Sequence, residues 1–492
     1  STYFYIALQY PNSNSLTFTL GSNYGYTFTA PGLINCGFNF GVNTSLAQVS
    51  GNIFADENSN GIREGSEQRL PYELVKVGNY FTTTNSIGNY SINVPVGYYS
   101  ITKPSTGLYA GKPILPTQLT VNATTPGALY NNNNFGIGIP ATYKDIAIDV
   151  IPTSTISATR LATYQVQISN LANNLAYYQA DILNDSVLDY FFAHYPNIDN
   201  YNANNDVATW YGHLIRFQRR IIPIGYTVSA SATINQALRN VGSVALQLDT
   251  DQNLSNDTAR TQQVVISSYD PNNKVPGNCG ETERGYILAG DKMQYTINFQ
   301  NTGNDVAVNI VLKDVISPNL DINSLRFIAT SHVNNFSLRV DGDTVYFIYK
   351  SIMLPDSLSN ESASKGWVSF SIQQKPNLTV GSEIKNTAAI YFDYNEAVIT
   401  NTTLHTIASY LSISEAYEDV KLNIYPNPTN DTLSVDYYLY EPSDVEVFIH
   451  DSNGRIVKSI EKTKQNIGNK HLTLESIAIS SGIYILNLMI NE

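Results

Sequence analysis

The chain has 492 residues, of which 42% are hydrophobic and only 14% charged, and its formal net charge is −13. That length allows roughly three to five domains of about 100–150 residues, and the hydrophobic content excludes a disordered chain. Lys and Arg are too scarce and scattered for phosphate recognition, which argues against nucleic acid and anionic lipid as partners, and no apolar run reaches the ~18–20 residues of a membrane-spanning helix.

Polarity comes mainly from Asn, Ser and Thr, and Tyr is abundant at 35 against 3 Met and 2 Trp. Thr, Tyr, Val, Ile and Phe favour strands, while Asn, Gly, Ser and Pro favour turns, so the composition predicts an extracellular all-β protein. Two cysteines, Cys36 and Cys279, do not make a disulfide scaffold; they are either bridged to each other or two separate thiols.

The chain opens on STYFY (1–5), already strand-like, as expected of a segment cut from a longer protein. INCGFNFG (34–41) and YNNNNFG (130–136) are similar module ends about a hundred residues apart. Residues 1–46 are therefore read as the tail of one module and 47–139 as a complete copy. A third unit, 140–268, begins with the strand KDIAIDV (144–150) and ends in the Asp/Asn-rich stretch DTDQNLSND (249–257). A fourth covers 269–408, an acidic linker 409–420, and a small β domain 421–492. Short alternating runs such as QYTINF (294–299) and TVYFIY (344–349), separated by turn residues, predict sandwiches. In the fourth unit, NTGND (301–305) reads as the turn of a β-hairpin. Its Asp/Asn pairs either cap turns or bind a cation.

The sharpest local signal is DENSNGIREGSE (56–67). Oxygen side chains fall at loop positions 1, 3 and 5 (Asp56, Asn58, Asn60), and Gly61 permits a sharp turn at position 6. Ile62 offers a backbone carbonyl, Glu64 a further ligand, and Glu67 the closing carboxylate. Calcium takes hard oxygen donors in this spacing. Strands rather than helices flank the loop, so the expectation is an EF-hand-like loop on a β scaffold, with a structural calcium stiffening the junction to the preceding module.

From Gly51 onward, GNIFADENSNGI (51–62), Glu67 and TTTNSIGNYSINVPVGYYSI (82–101) resemble the SdrD B-like (Cna B-type) repeats of bacterial surface adhesins. That resemblance implies a seven-stranded sandwich, with calcium ligands at Asp56, Asn58, Asn60 and Glu67. The third unit resembles, through its strand pattern and closing Asp/Asn stretch, Ig-like adhesion-related domains. SYDPNNK (268–274), YTINFQNTGNDVAVNIVLKDVI (295–316), LPDSLSNESASKG (354–366) and IKNTAAIYFDYNEAVITNT (384–402) resemble a conserved-repeat β domain of secreted Bacteroidetes proteins. The end of the chain resembles the type A sorting domain of type IX secretion cargo. It does so through IYPNPTNDTLSV (424–435), VEVFIHDSNGRIV (445–457) and SSGIYILNL (480–488). The residues carrying the signal are Tyr425, Pro426, Asn427, Pro428, Gly454, Gly482 and Tyr484. These resemblances imply tandem Ig-like and Cna B-type β-sandwich modules in a string, closed by a small C-terminal β-sandwich. They also imply a type IX translocon and an outer-membrane β-barrel shuttle as partners of residues 421–492.

The six histidines (His194, His213, His332, His405, His450, His471) lack the spacing of a zinc motif, and no nucleophile elbow or phosphate loop occurs. Asp393 and Glu396 could be paired carboxylates, but the family word containing them reads as strand and turn. The expectation is a non-enzymatic adhesin or surface-fibre protein, secreted to the outer-membrane exterior, with a glycan or protein as surface ligand; gliding is one version. Two alternatives stay open: the stalk and sorting region of a secreted enzyme, and cargo captured with its export machinery.

Overall fold

In the computed structural model the alternating runs become strands, and among the described residues helical structure is limited to three-residue 3-10 turns at Gly107–Tyr109, Leu254–Asn256 and Val333–Asn335. The structure describes residues 15–20, 24–29, 46–193, 200–202, 207–267, 270–280, 284–408, 423–429, 432–439, 442–451, 455–474, 482 and 484–490. Cys36, Gly454, the INCGFNFG repeat and the 409–420 linker lie outside them. Ahead of the first complete module, Ser15–Leu20 and Tyr24–Thr29 pair antiparallel.

The 47–139 module is organised by the long strand Leu46–Asp56. It pairs antiparallel with Asn89–Pro95 and parallel with Leu129–Tyr130 and Phe135–Gly138. Close approach is possible because Gly51 has no Cβ: one placed there would lie 2.1 Å from the carbonyl oxygen of Asn133. The opposing layer contains Leu74–Val77, Tyr80–Thr83, Gly97–Thr102 and Leu119–Ala123. Val49, Ile53, Val75, Val94, Ile101 and Phe135 fill the space between.

The third unit is a sandwich of a four-stranded sheet (146–152, 161–170, 219–228, 188–193) and a five-stranded one (200–202, 207–214, 176–184, 237–246, 258–264). Adjacent tyrosines take opposite faces, as strand alternation requires. Tyr178 is buried and Tyr177 exposed; in the module before it Tyr98 is exposed and Tyr99 half-buried.

In the fourth unit, Lys274–Pro276, Lys292–Gln300, Lys365–Gln374 and Leu320–Thr330 form one sheet, and Ile310–Val315 belongs to another. The predicted hairpin around NTGND is therefore corrected. Residues 301–309 carry the chain across the sandwich instead. Asn301 fixes that crossing: its Nδ2 donates to the carbonyls of Asp305 (2.8 Å) and Leu354 (3.0 Å). Asp393 caps the same region, its carboxylate accepting from the backbone N–H groups of Val308 (2.9 Å) and Asn309 (2.7 Å).

The units also lock together laterally. Tyr80–Thr83 of the 47–139 module pairs antiparallel with Phe336–Asp341 of the fourth unit, Phe81 opposite Val340, which makes one nine-stranded sheet across both. Leu74 and Phe81 are buried in the fourth unit's core beside Leu338, Val340 and Phe347. Strand Ile146–Pro152 is buried along its whole length. Ile146, Ile148 and Val150 face its own core. Ala147 packs on the 47–139 module, and Ile151 packs on Ile328, Ala329 and Trp367 of the fourth unit.

The C-terminal domain is a small sandwich of two three-stranded sheets, one of Asn423–Tyr425, Leu433–Leu439 and Gly468–Leu474, the other of Ile456–Gln465, Ser443–Asp451 and Tyr484–Ile490. Val435, Tyr437, Leu439, Val445, Val447 and Ile449 form its core.

Candidate functional site

Asp56 is the last residue of its strand and is buried, as is Glu67 eleven positions later; Asn58, Asn60, Ile62 and Glu64 between them are exposed. The loop closes on its two end carboxylates. Asp56 accepts from the backbone N–H of Asn60 (3.1 Å) and of Gly61 (2.7 Å). Glu67 accepts from that of Glu57 (2.9 Å) and of Glu64 (2.9 Å). Asn58 and Asn60 present their amide oxygens to the N–H groups of Asn60 and Ile62, and Asn60 Nδ2 donates to Glu64 at 2.6 Å. Gly61, at φ +74°, makes the turn without strain. Burial, together with the neighbouring Glu64, raises the Glu67 carboxyl above its usual range, whereas the Asn60 amide holds Glu64 below its own.

The donor set is all oxygen, as a hard cation needs. Among the described residues no group of three His, Cys, Asp or Glu side chains is placed to hold a metal ion. A calcium ion here would therefore rest on Asp56 and Glu67 supplemented by amide and carbonyl oxygens. Strand Leu46–Asp56 has 11 residues and spans roughly 35 Å at ~3.3 Å per residue, so the loop lies at the end of the strand away from Leu46. There the backbone N–H of Ile139 donates to the carbonyl of Asp56 (3.1 Å), and Arg216 of the third unit reaches the carbonyl of Ser66 (3.4 Å). The junction beside the loop is the one with the following unit.

A second acidic loop, noticed in the sequence only as an Asp/Asn-rich ending, folds onto the buried Asp145. Asn256 Nδ2 donates to Asp145 at 3.0 Å, and Tyr143 donates to the same carboxylate. The backbone N–H of Ile146 donates to Asp251 at 2.8 Å. Burial raises Asp145 to about 6 and, with the charges of Asp251 and Asp145 added, Asp257 to about 8. The sequence signal for this grouping was the spacing of Asp249, Asp251 and Asp257; nothing local tied them to Asp145.

In the sorting domain, Tyr425 closes a short edge strand opposite Ser434, with Pro426, Asn427 and Pro428 leading out of it. Gly482 is exposed and precedes Tyr484, the first residue of the last strand, whose partly buried ring packs on the domain core. Cys279 Sγ contacts the carbonyl of Gly280 at 3.4 Å.

Residues 270–406 match a family described as a domain of unknown function (DUF7619), and residues 423–492 match the secretion system C-terminal sorting domain. No catalytic family is among these matches, and no curated protein matches the chain. Among solved structures the chain is similar to the CARDB domain of a Pyrococcus furiosus protein in complex with di-metal ions. That similarity has 14% identity and a TM-score of 0.19, and covers 25% of this chain and 90% of that one. It is also similar to the collagen adhesin of S. aureus, at 13% identity and a TM-score of 0.20, covering 54% of this chain and 93% of that one. Residues 423–492 are a type IX secretion sorting domain on a run of β-sandwiches, and the chain is cargo of that export route, directed out of the cell to its surface.

Proposed function

We propose that this chain is the rigid stalk of a surface adhesin. The observation that carries the reading is the nine-stranded sheet running from the 47–139 module into the 270–406 unit, with the third unit clamped against both. A spacer that must hold a binding part away from the membrane gains from modules that cannot swivel, and large apolar interfaces suppress such motion. The ligand is a glycan or a protein. Cells lacking this protein but retaining other exported cargo are expected to attach less well to a surface. Re-expression of the full protein should restore attachment, whereas a version lacking residues 270–406 should reach the surface without restoring it. Normal attachment without the protein would sink the reading.

Calcium at Asp56, Asn58, Asn60, Ile62, Glu64 and Glu67 would fasten the loop at the junction with the third unit. A cation bound to the folded state alone stabilises by about 2.7 kcal/mol at a hundredfold excess over its Kd. EDTA is therefore expected to lower the thermal midpoint of the purified protein, calcium to restore it, and Glu67→Gln to abolish the response. A midpoint indifferent to both additions would remove calcium from the account.

During export the outer edge of Tyr484–Ile490 is the surface offered to the β-barrel shuttle. It is an edge strand of its three-stranded sheet, and strand addition is the recognition mode such an edge supports.

A further inference from the structure

Lys274 begins the first strand of the fourth unit and Asp314 sits in Ile310–Val315. Lys274 Nζ is paired with Asp314 Oδ2, and both side chains are 0% exposed. The Lys274 nitrogen lies 4.8 Å from the ring centre of Tyr295 and 5.5 Å from that of Phe370. The other Asp314 oxygen, Oδ1, is buried without a hydrogen-bond partner. So are both side-chain polar atoms of Asn386, a residue only 1% exposed.

Strand pairing brings the three groups together. Ala388, two residues beyond Asn386, stands opposite Asp314. Thr403 stands opposite Asn386, and Asn401, two residues before Thr403, clamps the Lys274 backbone with bonds of 2.8 and 3.0 Å. The first strand, a middle strand and the closing strands are thus neighbours in one core, with Tyr295 and Phe370 against the Lys274 nitrogen.

As a stabilising device this arrangement is poor. A buried ion pair gains little over a hydrophobic replacement, and a buried amide without partners is a net cost. As a reactive arrangement it is coherent. Burial disfavours charge on both partners, pushing Lys274 down to about 8 and Asp314 up. Passing the ammonium proton to the carboxylate would leave a neutral, desolvated amine, the nucleophilic form of lysine.

We propose that Lys274 and Asn386 form an intramolecular isopeptide cross-link, with Asp314 as the proton carrier. Lys274 Nζ attacks Asn386 Cγ while protonated Asp314 hydrogen-bonds the amide oxygen. The new Nζ–Cγ bond forms and the Cγ–Nδ2 bond breaks. Asp314 relays the proton lost by Nζ to the departing nitrogen, which leaves as ammonia. An amine and a primary amide become a secondary amide and ammonia, with no oxidant or cofactor consumed. Asn386 is the acceptor because its amide has no other partner, and because condensation at Asp314 would consume the acid that moves the proton.

The test is a protease map of the purified full chain by mass spectrometry. The expected product is a branched peptide joining Lys274 to residue 386, lighter by one ammonia than its two linear parts. Asn386→Ala and Asp314→Ala are expected to yield only linear peptides. Linear peptides from the unaltered protein would overturn the proposal, as would a branch to Asp314 with loss of water. The unaltered chain decides the matter even if a variant fails to fold.

Discussion

Phe81→Ala is expected to destabilise a unit to which Phe81 does not belong in sequence. The ring is 2% exposed and lies in the core of the 270–406 unit, among Leu338, Val340 and Phe347. Truncating a buried phenylalanine costs about 3–5 kcal/mol, because transfer energy is lost and a cavity remains. The strand carrying it also supplies backbone pairing to Phe336–Asp341, and Thr82 Oγ1 donates to the carbonyl of Leu338 at 3.0 Å. Hydrogen exchange is expected to rise at Leu338, Val340 and Phe347 as much as in residues 74–83. Faster exchange confined to 74–83 would mean that the two modules are separately stable and merely touching.

The second large effect is expected at the pair Asp149 and Arg326, which joins the third and fourth units. Arg326 binds the carboxylate through both terminal nitrogens, at 2.8 and 2.5 Å, and both side chains are buried. Burial by itself would raise Asp149, but the guanidinium outweighs it and holds the carboxyl at about 2. Asp149→Ala leaves a buried cation and is expected to cost about 3–5 kcal/mol, and Arg326→Met the same for the stranded carboxylate. The double variant Asp149→Leu with Arg326→Met is expected to regain most of that loss, since apolar replacement of a buried pair is close to neutral. Chemical denaturation of the four proteins gives the coupling directly. Additive losses would show that the two side chains act independently. Because the folded pKa of Asp149 is depressed, its contribution is present above the ordinary aspartate range and is lost as pH falls through about 2. Between pH 5 and 8 the cycle should give the same coupling.

Much of this architecture is legible in the chain. Period-two alternation with Gly, Asn and Pro punctuation marks the strands, and the words around Tyr425 and Tyr484 mark the sorting domain. The calcium-like loop is legible because its oxygens all fall within one twelve-residue stretch, 56–67. The lateral assembly is not. YFTT (80–83) and FSLRVD (336–341) are both ordinary edge-strand sequences, and nothing in either says which edge it meets. Strand Ile146–Pro152 carries a partial sign, because a near-continuous apolar run implies burial on both faces. What covers the second face depends on two other modules. The NTGND error has the same root: a turn motif reports that the chain reverses, not which sheet it returns to. Lys274, Asp314 and Asn386 were invisible for a related reason, since each is unremarkable in its own strand and significant only where the strands meet.

The shared sheet also imposes an order of assembly. Until residues 336–341 are in place, Tyr80–Thr83 is an open edge with an uncovered phenylalanine, the kind of surface that recruits wrong partners. The whole third unit lies between the two halves of that sheet in the chain. Pairings this distant in sequence slow folding, since the loop must be closed before the contact returns anything. The 47–139 module is therefore incomplete on its own, and capture of its edge by a strand two modules later is expected to be a slow step in folding.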